Sequence, residues 1–508
     1  MANSQTAKRY NHELESKQFL DYRLGRLPRH WRDNVIAKYN DIAKKQGLKH
    51  ANIYLRELTE PLENLLNIVA DDDDLKNLSK ELAFKVRERA GFSQWQFSEY
   101  VQEICLAYSV RFPHEHDANQ QRARFNDDTW WLRNLRNSHA RAREVAAINA
   151  GIVHRKADLY CSDDTLERRG QQIRRNAQTL ANIQLESESG QRMSLADIAK
   201  TGMANAENRR AELMTRISGF EELSIKYGHK AEFVTLTCPS RMHAVKKDGK
   251  ANAKYDGTKP DEAQRYLVEC WARARAQLAR DGVKFYGLRV AEPHHDATPH
   301  WHMILFYDGK QNTRVNLRAA ITKYFIADSR QEIFNDISPR VKFVAINPLK
   351  GSAAGYIAKY VAKNIGGIEG EKSDEGDTES TSAGSRVEAW ASTWRIRQFQ
   401  QIGGHSVTVW RELRRVTQEV ANAASSNILG AWRACQKTAL TKASFANYIQ
   451  AMGGLEVSLK ESVIKIDDDY LTKRGKYGES IIRIVKGVRE RWGRGVAANN
   501  RETWVKVK

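Results

Sequence analysis

Apolar residues recur along this chain with two different periods. Residues 1–115 read as helices separated by polar turns, with the acidic run Asp71–Asp74 as a solvated turn. Within Asp128–Val145, Leu132, Leu135, His139 and Ala142 repeat at a spacing of three to four, while Arg133, Arg136 and Arg143 fall on another face. That pattern predicts an amphipathic helix whose arginines are either solvated or meet phosphates. Ser194–Lys200 predicts a capped helix, a weak candidate for part of a helix-turn-helix. From about residue 230 the pattern changes. Strands are predicted at Glu232–Thr237, Lys284–Glu292, His300–Tyr307 and Val341–Ile346, with helices at Pro260–Arg280, near Val315–Ile326 and at Ala353–Asn364. A hairpin-like return lies around residues 292–300. Residues 366–386, rich in acidic residues, Gly, Ser and Thr, predict a flexible loop. A Trp- and Arg-rich block (387–412), a helical stretch (413–452), a short β-like piece at Ile481–Val485 and a basic tail complete the chain.

These elements predict an α+β fold. Four regions follow: helical residues 1–115, basic helical residues 116–225, an α+β domain at 226–412 that includes the acidic loop 366–386, and a mixed, mostly helical region 413–508. The 508 residues are enough for about three domains with proper cores.

Charge sharpens the picture. With 82 Lys+Arg against 62 Asp+Glu, the formal net charge is +20, which suits a polyanionic partner because neutralised phosphates release counterions. The five cysteines, Cys105, Cys161, Cys238, Cys270 and Cys435, are odd in number and form no CxxC pair, so neither a disulfide framework nor a cysteine zinc site is expected. The N-terminal residues lack the apolar core of a secretory signal, and no uncharged run approaches a membrane span. A cytoplasmic protein with no membrane partner is expected.

Candidate chemistry concentrates in two segments. On a strand, His300 and His302 project from one face while Trp301 and Met303 take the other. Two such imidazoles can share a metal ion, and a hairpin return would bring the carboxylate of Glu292 beside them as a third ligand. In isolation the pair could equally be two histidines with ordinary hydrogen bonds. On the helix predicted at 353–364, Tyr356 and Tyr360 stand one turn apart, and Lys359 and Lys363 lie on the same face. Ile357, Val361 and Ile365 form a separate apolar stripe. Taken alone, this is also what an amphipathic helix with boundary tyrosines looks like. Together the two segments suit phosphodiester chemistry: a phenol attacks, a metal polarises the phosphate, and the lysines favour phenolate and offset charge.

The ordered segments Phe233–Ser240 (FVTLTCPS), Glu292–Phe306 (EPHHDATPHWHMILF) and Gly355–Asn364 (GYIAKYVAKN) resemble motifs I, II and III of the His-hydrophobe-His (HUH) endonucleases. The resemblance is closer still to the replication gene A protein family of tailed double-stranded DNA phages and prophages. Trp390–Gly404 (WASTWRIRQFQQIGG) and Val407–Leu413 (VTVWREL) share it. It implies an HUH domain built on an RRM-like antiparallel sheet with flanking helices. It further implies a rolling-circle initiator that nicks the phage origin, stays on the 5′ end through tyrosine and leaves a 3′-hydroxyl as primer. His300, His302 and Glu292 would hold Mg²⁺ or Mn²⁺, with Tyr356 and Tyr360 as nucleophiles and Lys359 and Lys363 beside them. Thr235 and Thr237 would line the DNA groove. The family has Gly where this chain has Ala297, a departure that bears on turn geometry.

The expected partner is origin DNA, single-stranded or as a supercoiled duplex. No GxxxxGK(S/T) loop occurs, so unwinding would fall to a host replicative helicase. A relaxase or HUH transposase would use the same chemistry. A non-catalytic single-strand-binding module, with Trp301 or Phe306 stacking bases, is a reading from a different class.

Overall fold

The structure, a computed structural model, describes residues 17–60, 67–246, 249–329, 336–347, 351–365, 379–438, 441–471, 474–479 and 482–507. The chain divides into two compact units. One contains residues 1–158, 244–251 and 472–481; the other contains 159–243, 252–471 and 482–508.

The first unit is helical. Its helices are Arg32–Gln46, Leu48–Thr59, Asp72–Arg87, Gln94–Ala107, Ala118–Phe125 and Asp128–Asn149. Leu82, Val86, Phe97, Val101, Phe125, Trp131 and Leu135 form one buried cluster. The acidic run expected as a solvated turn is instead the start of a helix. Asp71 caps it, accepting from the backbone N–H of Asp73 and Asp74, while Asp74 answers the Asp71 N–H. Acidic side chains belong there because four amide N–H groups at a helix start lack partners. Asp72 also receives both arms of Arg136 at 2.8 Å, so that arginine is committed to the fold.

The second unit is α+β. The helix Asp163–Asn182 leads into a small sheet of β1 (Gln184–Ser187) and β2 (Arg192–Ser194). Ser194 caps the helix Leu195–Thr201, as its sequence predicts, and the long helix Ala206–Lys226 follows. The central sheet contains β3 (Lys230–Thr237), β4 (Phe285–Pro293), β5 (Pro299–Tyr307), β6 (Val341–Ala345) and β7 (Phe399–Ile402). Their spatial order is β6-β3-β5-β4-β7 and every pairing is antiparallel. The middle strand β5 is buried along its whole length, which explains why PHWHMILFY is apolar on both faces. Phe233, Leu288, Val290 and Ile304 share a core with Phe220 and Leu223 of the 206–226 helix and with Ile357 and Val361 of the helix Ala353–Asn364. On the opposite face, Trp301 donates to Gln264 of the helix Pro260–Arg280 at 2.9 Å.

A further expectation is corrected. Residues 366–378 of the expected acidic loop lie outside the described residues, but from Glu379 to Trp394 the chain is helical. Val387, Trp390 and Trp394 are buried there, and Arg386 pairs with Asp163 and donates to the Cys161 carbonyl, contacts that local composition does not reveal. The region read as a short β-like piece and a basic tail forms strands. β8 (Ile464–Leu471), β9 (Ile482–Glu490) and β10 (Val496–Ala498) form a three-stranded sheet, and β11 (Trp504–Lys506) pairs with β1. The helical stretch before them resolves into the short helices Gln418–Ala423, Ser426–Cys435 and Phe445–Ala451. All five cysteines are buried and none is in a disulfide. Among the described residues no helix is long and apolar enough to cross a membrane.

Candidate active site

Strand register assembles the first cluster. Glu292 of β4 stands opposite His300 of β5, and Thr235 of β3 stands opposite His302. Cross-strand partners share a sheet face, so the carboxylate and both imidazoles emerge on one side. The Nε2 atoms of His300 and His302 are 3.0 Å apart. Glu292 Oε2 lies 4.0 Å from His302 Nε2, and the three ligand atoms lie within 4.8 Å of one another. All three residues are buried. This donor set can hold a metal ion: cis ligands about 2.1 Å from an octahedral ion are themselves about 3.0 Å apart, as the two nitrogens already are.

Neighbouring residues orient the cluster. Thr235 Oγ1 meets His302 Nδ1 at 3.2 Å, which directs Nε2 toward His300. Asn364 Nδ2 donates to Glu292 Oε1. The same nitrogen donates to the Tyr360 carbonyl at 2.6 Å, and Gln398 Nε2 donates to Asn364 Oδ1 at 3.2 Å, which turns the amide nitrogen toward Glu292. A buried carboxylate needs such a donor.

The turn between β4 and β5 is tightly held. Ala297 has φ 69°, in the region that favours glycine, so the departure from the family's Gly leaves the left-handed turn in place. The Ala297 carbonyl accepts from Trp390 Nε1 at 2.8 Å. Asp296 accepts from His243 Nδ1 at 3.0 Å and from the Thr298 N–H at 3.2 Å. Burial would raise the Asp296 carboxyl, but its bond and charge interaction with His243 prevail and hold it at about 2. The His294 ring lies tilted against His300, with centroids 4.1 Å apart, and burial, reinforced by His243, lowers its pKa to about 3.

The tyrosine helix docks its apolar stripe on the sheet: Ile357 and Val361 are fully buried. Ser352 caps its N-terminus, and Glu221 accepts the N–H groups of Ala353 at 2.5 Å and Ala354 at 3.3 Å. Tyr360 lies with its ring centroid 4.1 Å from that of His302 and stacks on Phe233 at 5.3 Å. Tyr356 is farther out, 6.3 Å from Phe233 and 38% exposed. Lys359 is exposed on the same helix, and the Lys363 side chain lies outside the described residues.

The structure thus brings Glu292, His300, His302 and Tyr360 together, with Tyr356 at the rim. Sequence reasoning missed Asn364 and Gln398. The available signal was the spacing from Tyr360 to Asn364, one helical turn. Thr235, expected to line a DNA groove, touches His302. Thr237 donates to the carbonyls of Pro339 and Arg340, so it too is engaged within the fold. Trp301 and Phe306 are fully buried, which removes the base-stacking platform that a non-catalytic single-strand-binding sheet requires.

Residues 61–368 match the family model described as bacteriophage replication gene A protein (GPA). The chain belongs to that family. It is 36% identical over 461 residues to the replication gene A protein of Escherichia phage 186, covering 90% of this chain and 64% of that protein. It is 33% identical over 507 residues to the probable replication protein P12 of Pseudoalteromonas phage PM2, covering 90% and 77%. A probable replication endonuclease from a prophage-like region of Salmonella typhimurium is 32% identical over 387 residues, covering 75% and 48%. The chain therefore spans only part of the length of these relatives. No solved structure matches it at a significant level.

Proposed function

We propose that this chain is a replication endonuclease of the HUH type, which nicks one strand of phage origin DNA by tyrosine transesterification. The observation that carries the reading is the packing of Tyr360 on His302, the residue whose Nε2 meets His300 beside Glu292. A divalent cation held by these three residues, Mg²⁺ or Mn²⁺, would polarise the scissile phosphate and align it. Neutral imidazoles and an ionised Glu292 are the forms that bind such an ion, and Asn364 Nδ2 donates to that carboxylate. A Tyr356 or Tyr360 phenol gives up its proton and its oxygen bonds to phosphorus. The bond from phosphorus to the 3′ oxygen breaks, and that oxygen takes a proton. The products are a 5′-phosphotyrosyl ester and a free 3′-hydroxyl, which primes synthesis. Reversal with an incoming 3′-hydroxyl rejoins a strand and frees the tyrosine. Lys359 and Lys363 supply positive charge to the phosphate. The names of the relatives, which include replication gene A protein and probable replication endonuclease, support the replication role. The working location would be the bacterial host cytoplasm, with a host helicase separating strands.

The test is incubation with Mg²⁺ or Mn²⁺ and labelled single-stranded origin-region DNA, followed by denaturing electrophoresis and peptide mapping. A covalent 5′ adduct on Tyr356 or Tyr360 is expected, and none in the double Tyr→Phe variant. An adduct that persists in that variant places the nucleophile elsewhere and defeats the reading.

A further inference from the structure

The tip joining β9 and β10 carries chemistry that the cleavage residues do not use. Its sequence, residues 491–495, is Arg-Trp-Gly-Arg-Gly, and Trp492 is 79% exposed. An indole is among the largest apolar groups a fold can bury, so one held in water is not spent on the core. The tip is nonetheless firmly built. The Glu490 N–H donates to the Gly495 carbonyl at 2.8 Å. The buried Glu490 carboxylate accepts from Ser425 Oγ at 2.7 Å, Asn427 Nδ2 at 2.9 Å and the Gly495 N–H at 3.2 Å. Arg491 donates to the carbonyl of Ser462 at 2.9 Å. A Cβ at position 493 would sit 2.0 Å from Glu490 Oε2, so glycine is what lets the chain close around that carboxylate.

Charge is distributed unevenly along this sheet. On its strands, Lys486 pairs with Asp469 at 2.8 Å, Arg489 with Asp467 at 3.8 Å, and Arg483 with Asp468. At the tip, neither Arg491 nor Arg494 pairs with a carboxylate among the described residues. Glu490, the tip's own acid, is turned inward. The result is one displayed aromatic ring beside the exposed Arg494, with Arg491 tied to the carbonyls of Ser462 and Leu459.

We propose that Trp492 stacks on an unpaired nucleobase while Arg494 meets an adjacent phosphate, making this tip a single-strand contact separate from the cleavage residues. The proposal rests on reading the chain as a DNA enzyme. Aromatic faces accept any base, and arginines beside them track the backbone, so the contact is independent of sequence. Stacking requires an unpaired base, which favours single-stranded DNA over intact duplex. Stacking by Trp492 requires no movement of the core, because the ring is already held in solvent.

The full chain is tested in EDTA, so that binding is read without cleavage, using single-stranded DNA substituted with 5-iodouracil. Photo-crosslinking and mass spectrometry are expected to place an adduct on Trp492. Trp492→Ala is expected to weaken binding roughly 5- to 150-fold, the range for loss of one stacked base, and Trp492→Phe to retain most of the affinity. Arg494→Gln is expected to lower the slope of log affinity against log salt by about 0.7, the value for one phosphate contact on a single strand. Wild-type affinity in Trp492→Ala, or crosslinks only at other residues, overturns the proposal. Cleavage is read separately with metal. A wild-type chain that crosslinks through Trp492 but never forms a tyrosyl adduct defeats the nicking reading alone; one that forms the adduct while Trp492→Ala binds normally defeats this proposal alone.

Discussion

Asn364 Nδ2 is the donor that faces the Glu292 carboxylate, and its own orientation is set by Gln398 and the Tyr360 carbonyl. Asn364→Ala leaves a buried carboxylate oxygen short of a donor, so stability should fall by about 1–3 kcal/mol in denaturant unfolding. Mn²⁺ binding, followed by calorimetry, should weaken by roughly 10- to 100-fold, as for other groups that orient metal ligands. Unchanged Mn²⁺ binding would reduce Asn364 to a packing role. His300→Ala and His302→Ala remove the proposed ligands rather than their supports. Each should abolish cleavage while filter binding of DNA persists, because binding is spread over many cations and cleavage acts on one phosphate. Full nicking in excess EDTA would contradict the metal site. At the turn, Ala297→Gly relieves about 1–2 kcal/mol of left-handed strain and gives up roughly 0.8 kcal/mol of methyl burial. A net gain of at most about 1 kcal/mol is expected in urea unfolding, and a clear loss would show that the methyl contact dominates. The histidine pair was legible in sequence because strand alternation is local. Asn364 was not, because the partner that defines its role lies on another strand.

The tyrosine helix illustrates the same division among elements. Its period of 3.6 placed Ile357, Val361 and Ile365 on one stripe and the two tyrosines on another, and all three apolar residues are buried. Which element holds the helix's N-terminus was not readable, since Glu221 is 132 residues from Ala353. Glu221→Ala removes an acceptor and a negative charge from the first turn. A loss of about 1–2 kcal/mol in thermal or denaturant unfolding is expected, with a lower yield of covalent adduct. If stability falls and adduct yield does not, the first turn is not needed to place the phenols. The acidic run at Asp71–Asp74 misled for a related reason: charge density resembles a loop until the four unpartnered N–H groups of a helix start are considered. β9, β10 and β11 were read as a short strand and a tail because their polar sequences gain order from pairing, β11 with a strand near residue 185.

At the scale of the molecule, +20 formal charge should make DNA binding strongly dependent on salt. If six or more phosphates are contacted, affinity should fall on the order of 10³-fold or more between about 50 and 200 mM salt. A flat log–log plot in filter binding would mean that the excess charge is not used on phosphates. Composition reveals the excess but not which cations are free. Arg136 is committed to Asp72 and Arg483 to Asp468, whereas Arg494 has no acidic partner among the described residues.

What the amino-acid order determined by itself was whatever depends on near neighbours: the strand and helix periods, the co-facial histidines, the one-turn spacing of Tyr356 and Tyr360, and the ordered motifs that carry the family resemblance. Backbone geometry sets those relations over a few residues, so no fold is needed to read them. Tertiary structure decided the strand register that sets Glu292 against His300, the arrival of Tyr360 on His302, the Asn364–Glu292 bond and the outward display of Trp492. Each joins segments distant in sequence or depends on packing against them, and only burial and hydrogen bonding in the folded chain select one such arrangement.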